Sequence, residues 1–154
     1  MIKLLLDIDT GIDDALALFY LADAQKKGQL KILGSTTVGG NVEVAQTTLN
    51  TLKVWEMLEL EIPVASGAES PLQAPLNTAP FVHGEDGLGN SFLSPPKRLP
   101  VNESAEDMIL RLSHKYSGEL TLLTTAPLTN IALALLRDPD LAGRIRKLVI
   151  MGGA

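Results

Sequence analysis

No cysteine occurs among the 154 residues. Disulfide scaffolds, thiolate zinc sites and cysteine nucleophiles are thereby excluded. Basic charge is not in excess, since 13 Lys+Arg stand against 18 Asp+Glu, for a formal net charge of −5. Nucleic acids and anionic membranes select a basic footprint, so neither is an expected partner. Long apolar runs are missing too. The N-terminal run, Ile2 to Leu6, is interrupted by Lys3. It is too short for a signal-peptide core or a membrane span. There is no internal repeat and no low-complexity tract. What remains is ordinary globular usage, 45% hydrophobic and 20% charged, which argues against wholesale disorder. The length suits one domain or half of a larger one. A soluble, cytoplasmic protein is the expectation.

Short apolar runs alternate with longer helical periods. Strands are expected at residues 2–6, 30–36, 63–66, 119–125 and 147–151. The first reads as buried on both faces, as in a parallel sheet. Helices are expected at 13–27, with Leu16, Phe19 and Ala22 on a stripe, and at 43–59, with Ala45, Leu49, Leu52 and Trp55 inward. A third spans 102–116, burying Ala105, Met108, Ile109 and Leu112. A fourth starts at Pro127, points Leu128, Ile131 and Leu135 inward and stops before Pro139. Residues 66–101 hold six of the nine prolines, so they form a long loop, a kind that is often functional. This alternation means βαβ units: an α/β fold with an open, mostly parallel sheet and flanking helices. A strand followed by Gly152 and Gly153 is an odd terminus, so the expectation is the N-terminal part of something longer.

In open α/β sheets, ligands bind beyond the carboxyl ends of the strands. Asp7, Asp9, Asp13 and Asp14 follow the first strand, and Gly39-Gly40-Asn41 the second. His83-Gly84-Glu85-Asp86-Gly87 lies in the long loop, Thr124-Thr125 follows the fourth strand and Met151 closes the fifth. The four aspartates are the sharpest feature. Two carboxylates about 5 Å apart repel by roughly 3 kcal/mol at an effective dielectric near 20. Water, protonation or a cation must offset that. An all-oxygen set suits Ca²⁺ or Mg²⁺ rather than zinc or copper. The plainer reading is helix capping by Asp9, with Asp13 and Asp14 favouring the helix N-terminus. An EF-hand is excluded, because its glycine and glutamate positions hold Ile12 and Leu18. Glu85 and Asp86 read as solvated loop charges, and Trp55 as packing.

Asp7-Ile8-Asp9-Thr10-Gly11-Ile12-Asp13-Asp14-Ala15 resembles the aspartate signature of the inosine–uridine-preferring nucleoside hydrolases, whose usual form is Asp-x-Asp-Pro-Gly-x-Asp-Asp-Ala. Thr36-Thr37-Val38-Gly39-Gly40-Asn41 is similar to that family's second-strand loop. His83-Gly84-Glu85-Asp86-Gly87-Leu88-Gly89 is similar to its His-Gly-x-x-Gly-x-Gly loop. Thr125-Ala126-Pro127-Leu128-Thr129-Asn130-Ile131-Ala132 and Val149-Ile150-Met151-Gly152-Gly153 follow in family order. The resemblance covers the family's N-terminal half, so residues 1–154 are expected to be that part of the domain.

The resemblance implies a Rossmann-like fold and Ca²⁺-dependent hydrolysis of ribonucleosides to ribose and free base, in purine and pyrimidine salvage. It implies Asp9 and Asp14 as carboxylate ligands and Thr125 as a ligand through its backbone carbonyl. Asp9 would also be the general base. Asp13 and Asn41 would hold ribose hydroxyls, His83 would lie near the sugar's 5′ side, and Met151 would line the ribose pocket. Asp7 would support the cluster from behind. A homo-oligomer, dimer or tetramer, is also implied. Thr10 stands where the family has Pro, and Ala126 where it has Gly, with a looser turn as the expected cost. The family's further Asp ligand lies in the half not matched here. Residues 1–154 alone are therefore expected to bind Ca²⁺ weakly and to hydrolyse nucleosides poorly. Two other classes compete. One is a catalytically inactive truncated fragment or subunit. The weaker one is a haloacid-dehalogenase-type phosphatase with Asp7 as nucleophile and Asp9 as acid/base.

Overall fold

The computed structural model describes residues 1–152. Five parallel strands form one sheet in the order β3-β2-β1-β4-β5. They are β1 (Ile2–Ile8), β2 (Leu30–Thr37), β3 (Val64–Ser66), β4 (Leu120–Thr124) and β5 (Ile145–Ile150). The helices are α1 (Ile12–Lys26), α2 (Val44–Met57), α3 (Pro80–His83), α4 (Ala105–Lys115), α5 (Thr129–Arg137) and α6 (Leu141–Arg144). Parallel pairing puts every carboxyl end at one edge, with β1 in the middle.

Side chains alternate across β1, so it feeds two cores. Leu4, Leu6 and Ile8 pack with α1, with Leu52 and Trp55 of α2, and with Val64. Leu5 packs on the opposite face with Met108, Ile109 and Leu112 of α4, Leu120 and Leu122 of β4, and Ile131 of α5. The Trp55 indole is fully buried and donates to Ser35 Oγ at 3.1 Å. Ser104 caps α4 by accepting from the Asp107 N–H at 3.1 Å, and Glu106 and Asp107 favour its positive end.

Several inward faces differ from expectation. On α1, Leu18, Leu21, Ala22 and Ala24 are buried, while Leu16 is 71% and Phe19 43% exposed. This helix is apolar nearly all round, so spacing alone does not select a face. On α2, Ala45 and Leu49 point out, and Thr47, Thr48 and Thr51 point in beside Leu52 and Trp55. The threonines are satisfied by hydrogen bonds, such as Thr48 to Thr37 at 2.7 Å, which lets polar side chains occupy a core face. On α5, Leu128 and Leu135 are exposed, and Thr129, Asn130, Ile131 and Ala134 are buried. Strand β5 is the edge of the described sheet, with Leu148 and Ile150 exposed. The short helices α3 and α6 are additions to the expected pattern, one of them inside the long loop.

Candidate functional site

The site is built at the carboxyl edge, around the end of β1. Asp7 shares the face of Leu5 and is fully buried. Its Oδ1 accepts from Thr36 Oγ1 at 2.6 Å and from Asn130 Nδ2 at 2.8 Å. Among the described residues its Oδ2 has no partner. Burial, only partly offset by those two donors, pushes its pKa up to about 6.

Asp9 leaves the strand and crosses to the β2 loop. Its Oδ2 accepts the Asn41 N–H at 2.8 Å, and its carbonyl accepts Asn41 Nδ2 at 3.2 Å. Its Oδ1 is buried and unpartnered among the described residues. Desolvation raises its pKa. Asp9 therefore does not cap α1; Gly11 occupies that place. The close crossing requires Gly40, because a Cβ there would lie 2.0 Å from Asp9 Oδ2.

Asp14 sits in the first turn of α1. Its Oδ2 accepts the Gly11 N–H at 3.2 Å, the reach-back half of a capping box. Its Oδ1 accepts from Thr125 Oγ1 at 2.5 Å, which joins the first turn of α1 to the loop after β4. Burial raises the Asp14 pKa to about 7, with the Thr125 hydroxyl working against that rise and the neighbouring Asp9 charge adding to it. Asp13 is exposed, with Oδ1 3.8 Å from His83 Nδ1. His83 is mostly buried, and its Nδ1 accepts the Ile12 N–H at 3.3 Å. The folded chain thus brings Asp7, Asp9, Asp13, Asp14, Asn41, His83 and Thr125 together. Met151 lies just past β5 with β4 between it and the aspartates. Its N–H bonds the Thr124 carbonyl at 2.9 Å, and it is largely exposed.

Three contributors lay outside the sequence reading. Asn130, fully buried, donates to Asp7 Oδ1 and to the Thr37 carbonyl at 2.9 Å, and accepts from the Ala68 N–H at 2.9 Å. Its only sequence signal was its place in the Thr129-Asn130-Ile131-Ala132 block. Thr36 carries no sequence signal beyond its place in the Thr36-Thr37-Val38-Gly39-Gly40-Asn41 block. Asp86 does more than carry a solvated charge. Its carboxylate accepts from the N–H groups of Leu88, Asn90 and Phe92 at 2.8 to 2.9 Å. Burial pulls its pKa up, but those backbone donors outweigh it and hold the group below the ordinary range. At the aspartate turn, the Thr10 hydroxyl pairs with that of Thr51 at 2.6 Å.

Among the described residues, no three His, Asp or Glu side chains converge as a ready metal shell. Two carboxylates do converge, Asp9 and Asp14, both buried and both raised in pKa. Asp9 Oδ1 is a buried acceptor in want of a partner. A hard, oxygen-preferring cation fits that donor set, and a thiolate- or imidazole-seeking metal does not.

The family model for "Inosine-uridine preferring nucleoside hydrolase" matches residues 4–154. Uridine nucleosidase 1 of Arabidopsis thaliana is 42% identical over 154 residues, covering 99% of this chain and 45% of that protein. The non-specific ribonucleoside hydrolase RihC of Salmonella enteritidis PT4 is 40% identical, covering 99% of this chain and 49% of its own length. The plant nucleoside hydrolase PpNRh1 superposes with a TM-score of 0.92 at 37% identity, over 99% of this chain and 48% of that one. A purine-preferring ribonucleoside hydrolase from Gardnerella vaginalis gives 0.92 at 34% identity, over 99% and 49%. The chain spans about half the length of the curated relatives it matches. On sequence and fold, the chain belongs to the inosine–uridine-preferring nucleoside hydrolase family.

Proposed function

We propose that the protein carrying this chain hydrolyses the N-glycosidic bond of ribonucleosides, releasing ribose and free base, with Ca²⁺ at the aspartate cluster. The observation that carries the reading is Asp9. It is a buried carboxylate at the end of the central strand, with one oxygen held by Asn41 and the other unpartnered among the described residues. The names of the relatives, uridine nucleosidase and ribonucleoside hydrolase, support the substrate class.

Breaking the bond builds positive charge on the ribose. Asp9, Asp13 and Asp14 place negative charge beside it, which favours the transition state. Asp9 Oδ1 takes the proton of the attacking water. Burial raises its pKa in the cation-free chain, and a bound cation would lower it again, keeping Asp9 ionised. The Asn41 N–H keeps Oδ2 occupied, so Oδ1 is the atom left for that transfer. Asp13 and the Asn41 side chain bind ribose hydroxyls, His83 faces the 5′ side, and Met151 lines the sugar. Asp9, Asp14 and the Thr125 carbonyl are the groups that would hold the cation. When bound, Ca²⁺ acidifies water and offsets the repulsion between the carboxylates. Asp7 keeps the end of β1 in place through Thr36 and Asn130.

The test is ribose release from uridine and inosine by the complete gene product. Activity is expected to vanish in EDTA and return with Ca²⁺. Asp9→Asn should lower kcat by about 100-fold or more, the scale of a lost general base. No ribose from any ribonucleoside in the presence of Ca²⁺, or full activity in Asp9→Asn, would overturn the reading.

A further inference from the structure

Two loops from distant parts of the chain meet at the site, the aspartate turn and the loop that follows His83. One buried side chain touches both. Asn50 on α2 is fully buried. Its Nδ2 donates to the Thr10 carbonyl at 3.2 Å and to the Asp86 carbonyl at 2.8 Å. Its Oδ1 accepts from Gln46 Nε2 at 2.8 Å, and the same nitrogen reaches the Asp86 carbonyl at 3.3 Å. Gln46 thereby orients the amide. With the oxygen engaged, both amide hydrogens are spent on the two loop carbonyls.

The loop is tied together around Asp86. The Asp86 carboxylate gathers the N–H groups of Leu88, Asn90 and Phe92. Asn90 Oδ1 accepts the Glu85 N–H at 2.8 Å, and the Gly89 N–H returns to the His83 carbonyl at 2.7 Å. Gly87 rests directly on Asn50. Its φ is +74°, and a Cβ there would lie 2.8 Å from Asn50 Nδ2. A shift of Asp86 is therefore a shift of His83. On its other side, His83 meets the aspartate turn at the Ile12 N–H.

We infer that Asn50 is a positioning residue. It sets the spacing between the aspartate turn and the His83 loop through their carbonyls, and it does not touch the substrate. The kinetic consequence rests on the proposed ribonucleoside reading; the coupling of the two loops does not.

Two variants of the complete gene product test this. Asn50→Leu keeps the size and removes the donors. Gly87→Ala pushes the loop off an intact Asn50, and it carries the test where Asn50→Leu does not fold. Amide hydrogen exchange across residues 84–92 is expected to accelerate about tenfold or more, with β1 and β4 unchanged. For uridine with Ca²⁺, KM should rise about tenfold while kcat stays within about threefold, since what is lost is positioning of a binding loop. Combining Asn50→Leu with His83→Ala should raise KM by less than the product of the single effects. A general loss of stability would not give that split or that coupling. Unchanged exchange at 84–92 in the folded variants overturns the inference, and so does faster exchange with unaltered KM. If the wild-type protein releases no ribose, the functional reading fails, and the exchange result alone decides whether Asn50 couples the loops.

Discussion

Replacing Asp7 by Asn removes a charge that the fold holds under strain. Asp7 is fully buried, and its pKa rises from an ordinary 3.8 to about 6, chiefly by desolvation. At 1.36 kcal/mol per pKa unit, that gap is worth about 3 kcal/mol. The sign follows from linkage. A raised folded-state pKa means that the folded chain holds the proton more tightly than the unfolded one. The stability this contributes is fully present below about pH 3.8 and is lost as pH rises through about 6. Asn keeps an oxygen for Thr36 and Asn130 and has no charge to desolvate. The stability of wild type minus that of Asp7→Asn should therefore fall by about 2–2.5 kcal/mol between pH 4 and pH 7, then level off. Asp9 and Asp14 are present in both proteins, so their own titrations cancel in the difference. The assay is urea unfolding in EDTA, read by fluorescence of Trp55, the only tryptophan. A difference that is flat across that window, or that rises with pH, refutes the argument.

Gly40→Ala should drive Asp9 from its place, because the new Cβ would lie 2.0 Å from Oδ2. Ribose release should fall at least about tenfold, with about 1–3 kcal/mol lost in urea unfolding; wild-type turnover would contradict the crossing described. Trp55→Ala should cost about 3–5 kcal/mol of stability, as a cavity and an unpaired Ser35 hydroxyl replace the indole. Trp55→Phe should cost less, and equal losses measured by calorimetry would count against a packing role.

The aspartate cluster was legible because its members lie within eight residues and share one strand end. The strand and helix alternation was legible because apolar runs and helical periods differ in spacing. The inward faces were harder. α1 carries apolar residues on every side, and α2 turns threonines inward. Hydrophobic spacing then leaves the face undecided, and only the partner surface resolves it. Asp86 looked like a solvated charge because its four donors exist only once residues 84–92 have folded back upon it.

By itself the sequence determined the α/β class, the order of the strands along the chain and the family. Those follow from local spacing and from motifs that are contiguous. Tertiary structure alone decided which carboxylate oxygen stays free, which groups steady Asp7 and how Asn50 spans two loops. Asn130 lies 123 positions from Asp7, and Asn50 lies 40 from Thr10. A hydrogen bond at 3 Å is set by where the chain returns, and that return depends on the packed sheet rather than on any neighbour in sequence.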